Sequence, residues 1–166
     1  MAWFRILSVA IGYGSVLFLI QCHWISCLGY LGFRIDLLLP LALHVALCLP
    51  PTSALCWCLG WGFIMDTFSG RLWGLHLGTY LVMVLLVTVA SAHFELRNPF
   101  YRLLCVAICA IMQALALGGY VVIASAAPPY DPTVWVPLLA RTAGILCVAP
   151  LIGWPFEQYT DQFRSV

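Results

Sequence analysis

Gly60-Trp61-Gly62-Phe63-Ile64-Met65-Asp66-Thr67-Phe68-Ser69-Gly70, with Arg71, Gly74 and Gly78 just beyond, is the stretch on which the reading of this chain turns. It sets a carboxylate at the end of an apolar run, in a chain of 166 residues that is 64% hydrophobic and only 8% charged. A charge kept beside hydrocarbon is expensive, so Asp66 requires a partner, a polar niche or a position near the membrane interface.

Outward from that stretch the chain is apolar almost throughout. A mean hydropathy of +1.03 excludes an ordinary soluble domain. Apolar runs of about 20 residues, the length that crosses a bilayer, recur along it. Six spans are expected, at approximately 6–28, 35–50, 52–69, 72–91, 102–125 and 134–155. A backbone in lipid must bond to itself, which makes each span a helix. The strands of a membrane barrel would alternate apolar and polar residues, and none of these runs does. The expected fold is an all-α, polytopic integral membrane bundle forming a single domain over 1–166. The first apolar run continues past 20 residues, too long for a cleaved signal peptide, and reads as a retained helix.

The chain has no lysine, so orientation rests on arginine. With six spans, Arg5, Arg97, Arg102 and Arg164 share one side, Arg34 and Arg71 share the other, and Arg141 lies inside the last span. The positive-inside rule then places both termini in the cytoplasm. A net charge of +1 gives no reason to expect a nucleic-acid partner. The eight cysteines fall in or beside apolar spans, at spacings such as Cys56-x-Cys58 and Cys105-x3-Cys109 that match no zinc or redox motif. There cysteine acts as a small hydrophobe.

Local signals refine the picture. Asp36 opens span two, where free amides and the helix dipole favour an anion. Thr52 or Ser53 is placed to cap span three after Pro50-Pro51. Spans two and three are short, and read as two short helices rather than a re-entrant pair. Gly70, Gly74 and Gly78, spaced by four, form a small-residue ridge for close helix approach at the start of span four, and Ala110, Ala114 and Gly118 repeat the device in span five. Ala126-Ala127-Pro128-Pro129-Tyr130-Asp131-Pro132 forbids helix and reads as an extended loop.

The polar inventory near the membrane is Asp36, His44, Asp66, His76, Gln113, Arg141 and Glu157. No Ser-His-Asp arrangement, metal motif or phosphate loop can be assembled from it, so the chain reads as no enzyme, with no catalytic, cofactor or metal residue. His44 and His76 are expected to hydrogen-bond within the bundle. Arg34, Asp36, Asp66 and Arg71 are expected on the extracytoplasmic side, their charges paired between two loops. Arg141 is expected to pair with Asp131 or Asp66.

Two of these stretches carry a resemblance. Arg34-Ile35-Asp36-Leu37-Leu38-Leu39 is similar to the Arg-Pro-Asp-Leu-Leu-Leu opening of span two in the rod shape-determining protein MreD family of bacteria, with isoleucine where proline is usual. Gly62-x3-Asp66-x2-Ser69-Gly70-x3-Gly74 resembles the family's pattern joining spans three and four. The specific part covers residues 34–78; spans five and six match only as hydrophobic helices. The resemblance implies a non-enzymatic inner-membrane scaffold of the cell-wall elongation machinery. Its partners would be an MreC-like bitopic protein and, through it, an MreB-like actin and a peptidoglycan glycosyltransferase-transpeptidase pair, all in a setting of membrane lipid. Arg34, Asp36, Asp66, Ser69, Gly70, Arg71, Gly74 and Gly78 are the structural or partner-binding candidates. The family's predicted fold is similar to that of the substrate-binding subunits of energy-coupling-factor vitamin transporters. That sets the alternative, a vitamin-binding membrane subunit whose cavity Trp57, Trp61, Trp73 and His76 would line.

Overall fold

The structure, a computed structural model, describes residues 2–28, 35–69, 73–93, 98–125 and 132–164. Among them lie six helices and no strand: α1 (Ala2–Leu28), α2 (Leu38–Cys48), α3 (Pro51–Ser69), α4 (Leu75–His93), α5 (Pro99–Ser125) and α6 (Pro132–Arg164). Four are long and apolar enough to cross a bilayer, over Trp3–His23, Leu75–His93, Pro99–Ala124 and Pro132–Phe156. The protein is an all-α membrane bundle.

Helix starts follow from the sequence chemistry. Pro51, Pro99 and Pro132 each take the first position of a helix, where the missing N–H is no loss and the fixed φ is already helical. Thr52 and Ser53 therefore fall inside the first turn of α3 rather than capping it. Asn98 caps α5, its Oδ1 accepting the Phe100 amide at 3.0 Å. The extended loop expected before Pro132 lies outside the described residues. The last helix runs on to Arg164, past the apolar limit near residue 155, and carries Pro137, Pro150 and Pro155 inside it. The Tyr13 hydroxyl of α1 ties α6 to α1 by donating to the Ile152 carbonyl at 3.3 Å.

The shortest helix is the centre of the bundle. The second helix packs against all five others, and its eight consecutive residues Leu38 to Val45 are all buried. A helix that is apolar all round sits in a protein core or in lipid, and the surroundings of α2 are protein. The short helix expected over 35–50 is α2, whose 11 residues extend about 16 Å at 1.5 Å per residue. That is roughly half of a hydrocarbon core of about 30 Å. Apolar composition is set by burial as well as by lipid, and in α2 the burial is in protein.

The described members of the glycine ridge expected at Gly70, Gly74 and Gly78 pack against no helix of this bundle. Gly70 lies outside the described residues. Gly74 precedes α4 with φ at +91°, a turn residue in the left-handed region. A Cβ on Gly78 would meet nothing within 4 Å. The close approach between α3 and α4 is made instead at Gly62, where a Cβ would stand 2.7 Å from Cα of Leu77. The α5 ridge does engage a neighbour: a Cβ on Gly118 would lie 2.9 Å from the ring of Trp135 in α6.

Candidate functional site

The chain's two signature carboxylates both end up in the interior, at 0% exposure for Asp36 and 1% for Asp66. Asp66 lies in the last turn of α3 and crosses to the start of α4. Its Oδ2 accepts the amides of Gly74 at 3.0 Å and Leu77 at 3.1 Å. Its Oδ1 accepts the His76 amide at 2.9 Å and His76 Nδ1 at 3.0 Å. The free amides at the start of α4 are thus capped by a carboxylate delivered from the preceding helix, where dipole and hydrogen bonding both favour an anion. The left-handed φ of Gly74 turns its N–H onto that carboxylate.

Asp36 does the same for α2. Its Oδ1 accepts the amides of Leu38 at 3.2 Å and Leu39 at 3.3 Å. Gln21 of α1 takes the next orphan amide, that of Leu37, at 3.3 Å. Beyond the helix start, Asp36 Oδ1 accepts the Tyr80 hydroxyl at 2.8 Å and Oδ2 accepts Gln113 Nε2 at 3.1 Å. The other end of the Gln113 amide accepts a 3.4 Å bond from an Arg141 guanidinium nitrogen.

His76 joins the two halves. With Nδ1 on Asp66, its Nε2 lies 4.0 Å from Asp36 Oδ2, at the limit of an ion pair. Asp66, His76, Asp36, Tyr80, Gln113 and Arg141 form one chain of polar contacts, drawn from α3, α4, the start of α2, α5 and α6. Charge-assisted bonds of this kind contribute about 1.5–3 kcal/mol each.

Each described candidate residue has a place. Asp36 and Asp66 lie in this cluster, and Gly74 is part of it through its amide. Gly78 donates its amide to the Gly74 carbonyl at 2.8 Å and takes no part in the polar contacts. Arg34, Gly70, Arg71 and Asp131 lie outside the described residues, as does the side chain of Ser69, so the arginine pairings expected through them do too. Both carboxylates instead find amides, a histidine, a tyrosine and a glutamine. Sequence reasoning passes over Tyr80 and leaves His76 and Gln113 without partners. The available signal is that His76 and Tyr80 stand one turn apart in α4, immediately after the Gly74 turn.

Among the described residues no group of three or more His, Cys, Asp or Glu is placed to hold a metal ion. Of the four residues of the alternative's cavity, Trp57 and Trp61 line one cleft of about 480 Å³ between α1 and α3, and Trp73 and His76 lie elsewhere. His76 is in the cluster, Trp57 and Trp61 pack against Gly14 of α1, and Trp73 is exposed against Phe63. No family model, curated protein or solved structure matches the chain.

Proposed function

We propose that this protein is a non-enzymatic scaffold of the bacterial inner membrane, of the kind represented by the MreD family, that supports rod shape by binding an MreC-like bitopic partner. Both termini lie in the cytoplasm in this reading. One observation carries it: the two motifs of the resemblance, around Asp36 and Asp66, are 30 residues apart in sequence and meet through His76 in one buried cluster. The alternative, a vitamin-binding subunit, gains less support. In secondary transporters helix N-termini take anionic substrate groups, and here the chain's own carboxylates already occupy those of α2 and α4.

The test is tandem-affinity purification of the full chain from native membranes, with cell shape scored in a depletion strain. Recovery of a single-pass membrane protein and rounding of rod cells on depletion are the expected results. Recovery of a vitamin-sized ligand with an ATPase module, and unchanged shape, would overturn the reading.

A further inference from the structure

His76 is the joint between two buried carboxylates. Its Nδ1 lies 3.0 Å from Asp66 Oδ1 and its Nε2 lies 4.0 Å from Asp36 Oδ2. All three side chains are buried. The other donors to the carboxylates are neutral: backbone amides, the Tyr80 hydroxyl and the Gln113 amide. Among the described residues, His76 is the one side chain able to carry positive charge within 4.0 Å of either carboxylate. Arg141 reaches Asp36 through Gln113. With a neutral ring the cluster sets two carboxylates against one guanidinium; with one more proton the charges balance. Burial penalises a lone charge, and ionisable groups inside a membrane pair with one another. A neutral imidazole donates through one nitrogen only, whereas the imidazolium donates through both. His76 has a carboxylate at each of its nitrogens.

We infer that His76 holds a bound proton, as an imidazolium shared between Asp66 and Asp36, and that this proton fastens the start of α2 to the junction of α3 and α4. Acidity then tightens the centre of the bundle and alkali loosens it. Loss of the proton from either nitrogen sets a ring lone pair against a carboxylate, at the contact that joins the two capped helix starts. The titratable and charged groups around His76 come from every side. Asp66 comes from α3 and Asp36 from just ahead of α2. Tyr80 stands one turn on in α4, its ring 6.4 Å away. Arg141 of α6 acts at one remove, through Gln113 of α5. The first helix brings Gln21 to Leu37, a side chain that does not titrate. Folding takes up a proton under this assignment, so stability is greatest on the acidic side of imidazole titration and is lost as pH rises. The inference stands on the cluster and not on the scaffold reading.

The experiment uses the full chain in detergent, with melting followed from about pH 5.5 to about pH 8.5, a range that brackets imidazole titration. The expected result is a fall of roughly 3–6 °C across that range. His76→Gln, which can still donate to Asp66 but has no proton to lose, removes the fall. His93→Gln, at an exposed position on α4, leaves it in place. The second readout is the nitrogen NMR spectrum of isotope-labelled histidine. The His76 signals are assigned by their loss in His76→Gln, or by their shift in Asp36→Asn where the first variant does not fold. His76 should show both ring nitrogens protonated at about pH 7.5, where an ordinary imidazole is mostly neutral. Asp36→Asn, which removes one of the two charges, should return the ring to a single proton. A melt that is flat or rises with pH, a fall that survives His76→Gln, or a neutral His76 ring at about pH 7.5 would each overturn the assignment.

Discussion

At the scale of single residues, Asp66 is the group whose loss reaches furthest. Four donors converge on its two oxygens from the Gly74 turn and the first turn of α4. Asp66→Ala removes the acceptor of three backbone amides and of His76, and a donor left unsatisfied costs about 1–3 kcal/mol. Thermal unfolding in detergent should fall accordingly, with loss of partner recovery and rounding of rod cells. Asp66→Asn should be milder, since the amide oxygen still accepts while its NH2 faces donors. Unchanged melting and shape for Asp66→Ala would make Asp66 a dispensable charge. The glycines give a contrast in sign. Gly74→Ala puts a side chain at φ +91° and should destabilise by about 1–2 kcal/mol. Gly62→Ala drives a methyl into Leu77 and should cost about 1–3 kcal/mol. Gly78→Ala meets open space and should stabilise by up to about 1 kcal/mol through helix propensity. Equal effects at Gly62 and Gly78, measured by the same melts, would restore the ridge that spacing alone suggests.

At the scale of elements, what was legible and what was not divide along physical lines. Runs of apolar residues broken by Pro50-Pro51 and by the polar 92–102 stretch mark where helices start and stop, because proline and charge act locally. Asp36 as a helix-start anion and the amides of α4 as donors to Asp66 are local too, and both were readable. Partners brought by the fold were not: Tyr80 is 44 residues from Asp36 and Gln113 is 77. Depth was equally hidden. The leucine run of α2 reads the same whether lipid or protein surrounds it, and only packing tells that it is the bundle's axis. Tyr80→Phe and Gln113→Leu each remove one donor to Asp36, so their effects should not add. A double-mutant cycle on melting should return a coupling of about 0.5–3 kcal/mol. Strict additivity would mean that the two donors serve Asp36 independently.

At the scale of the whole molecule, the arginine distribution predicts that reporters fused after Val166 sit in the cytoplasm and reporters inserted within 128–132 sit outside it. Periplasm-dependent reporters should be silent in the first and active in the second; the reverse pattern would invert the protein in the membrane. The central α2 has a further consequence, in time rather than space. Asp36 is synthesised 77 residues before Gln113, an interval of roughly 4–15 s at ordinary elongation rates of about 5–20 residues per second. During that interval a segment too short to cross alone carries a carboxylate whose side-chain partners from α4 and α5 have not all been made. The nascent chain must keep α2 at the insertion machinery, or shelter it with a chaperone, until α4 and α5 close around it. Chains arrested before Gln113 should therefore be degraded quickly by membrane proteases, and the protein's cellular level should follow how promptly its second half is translated.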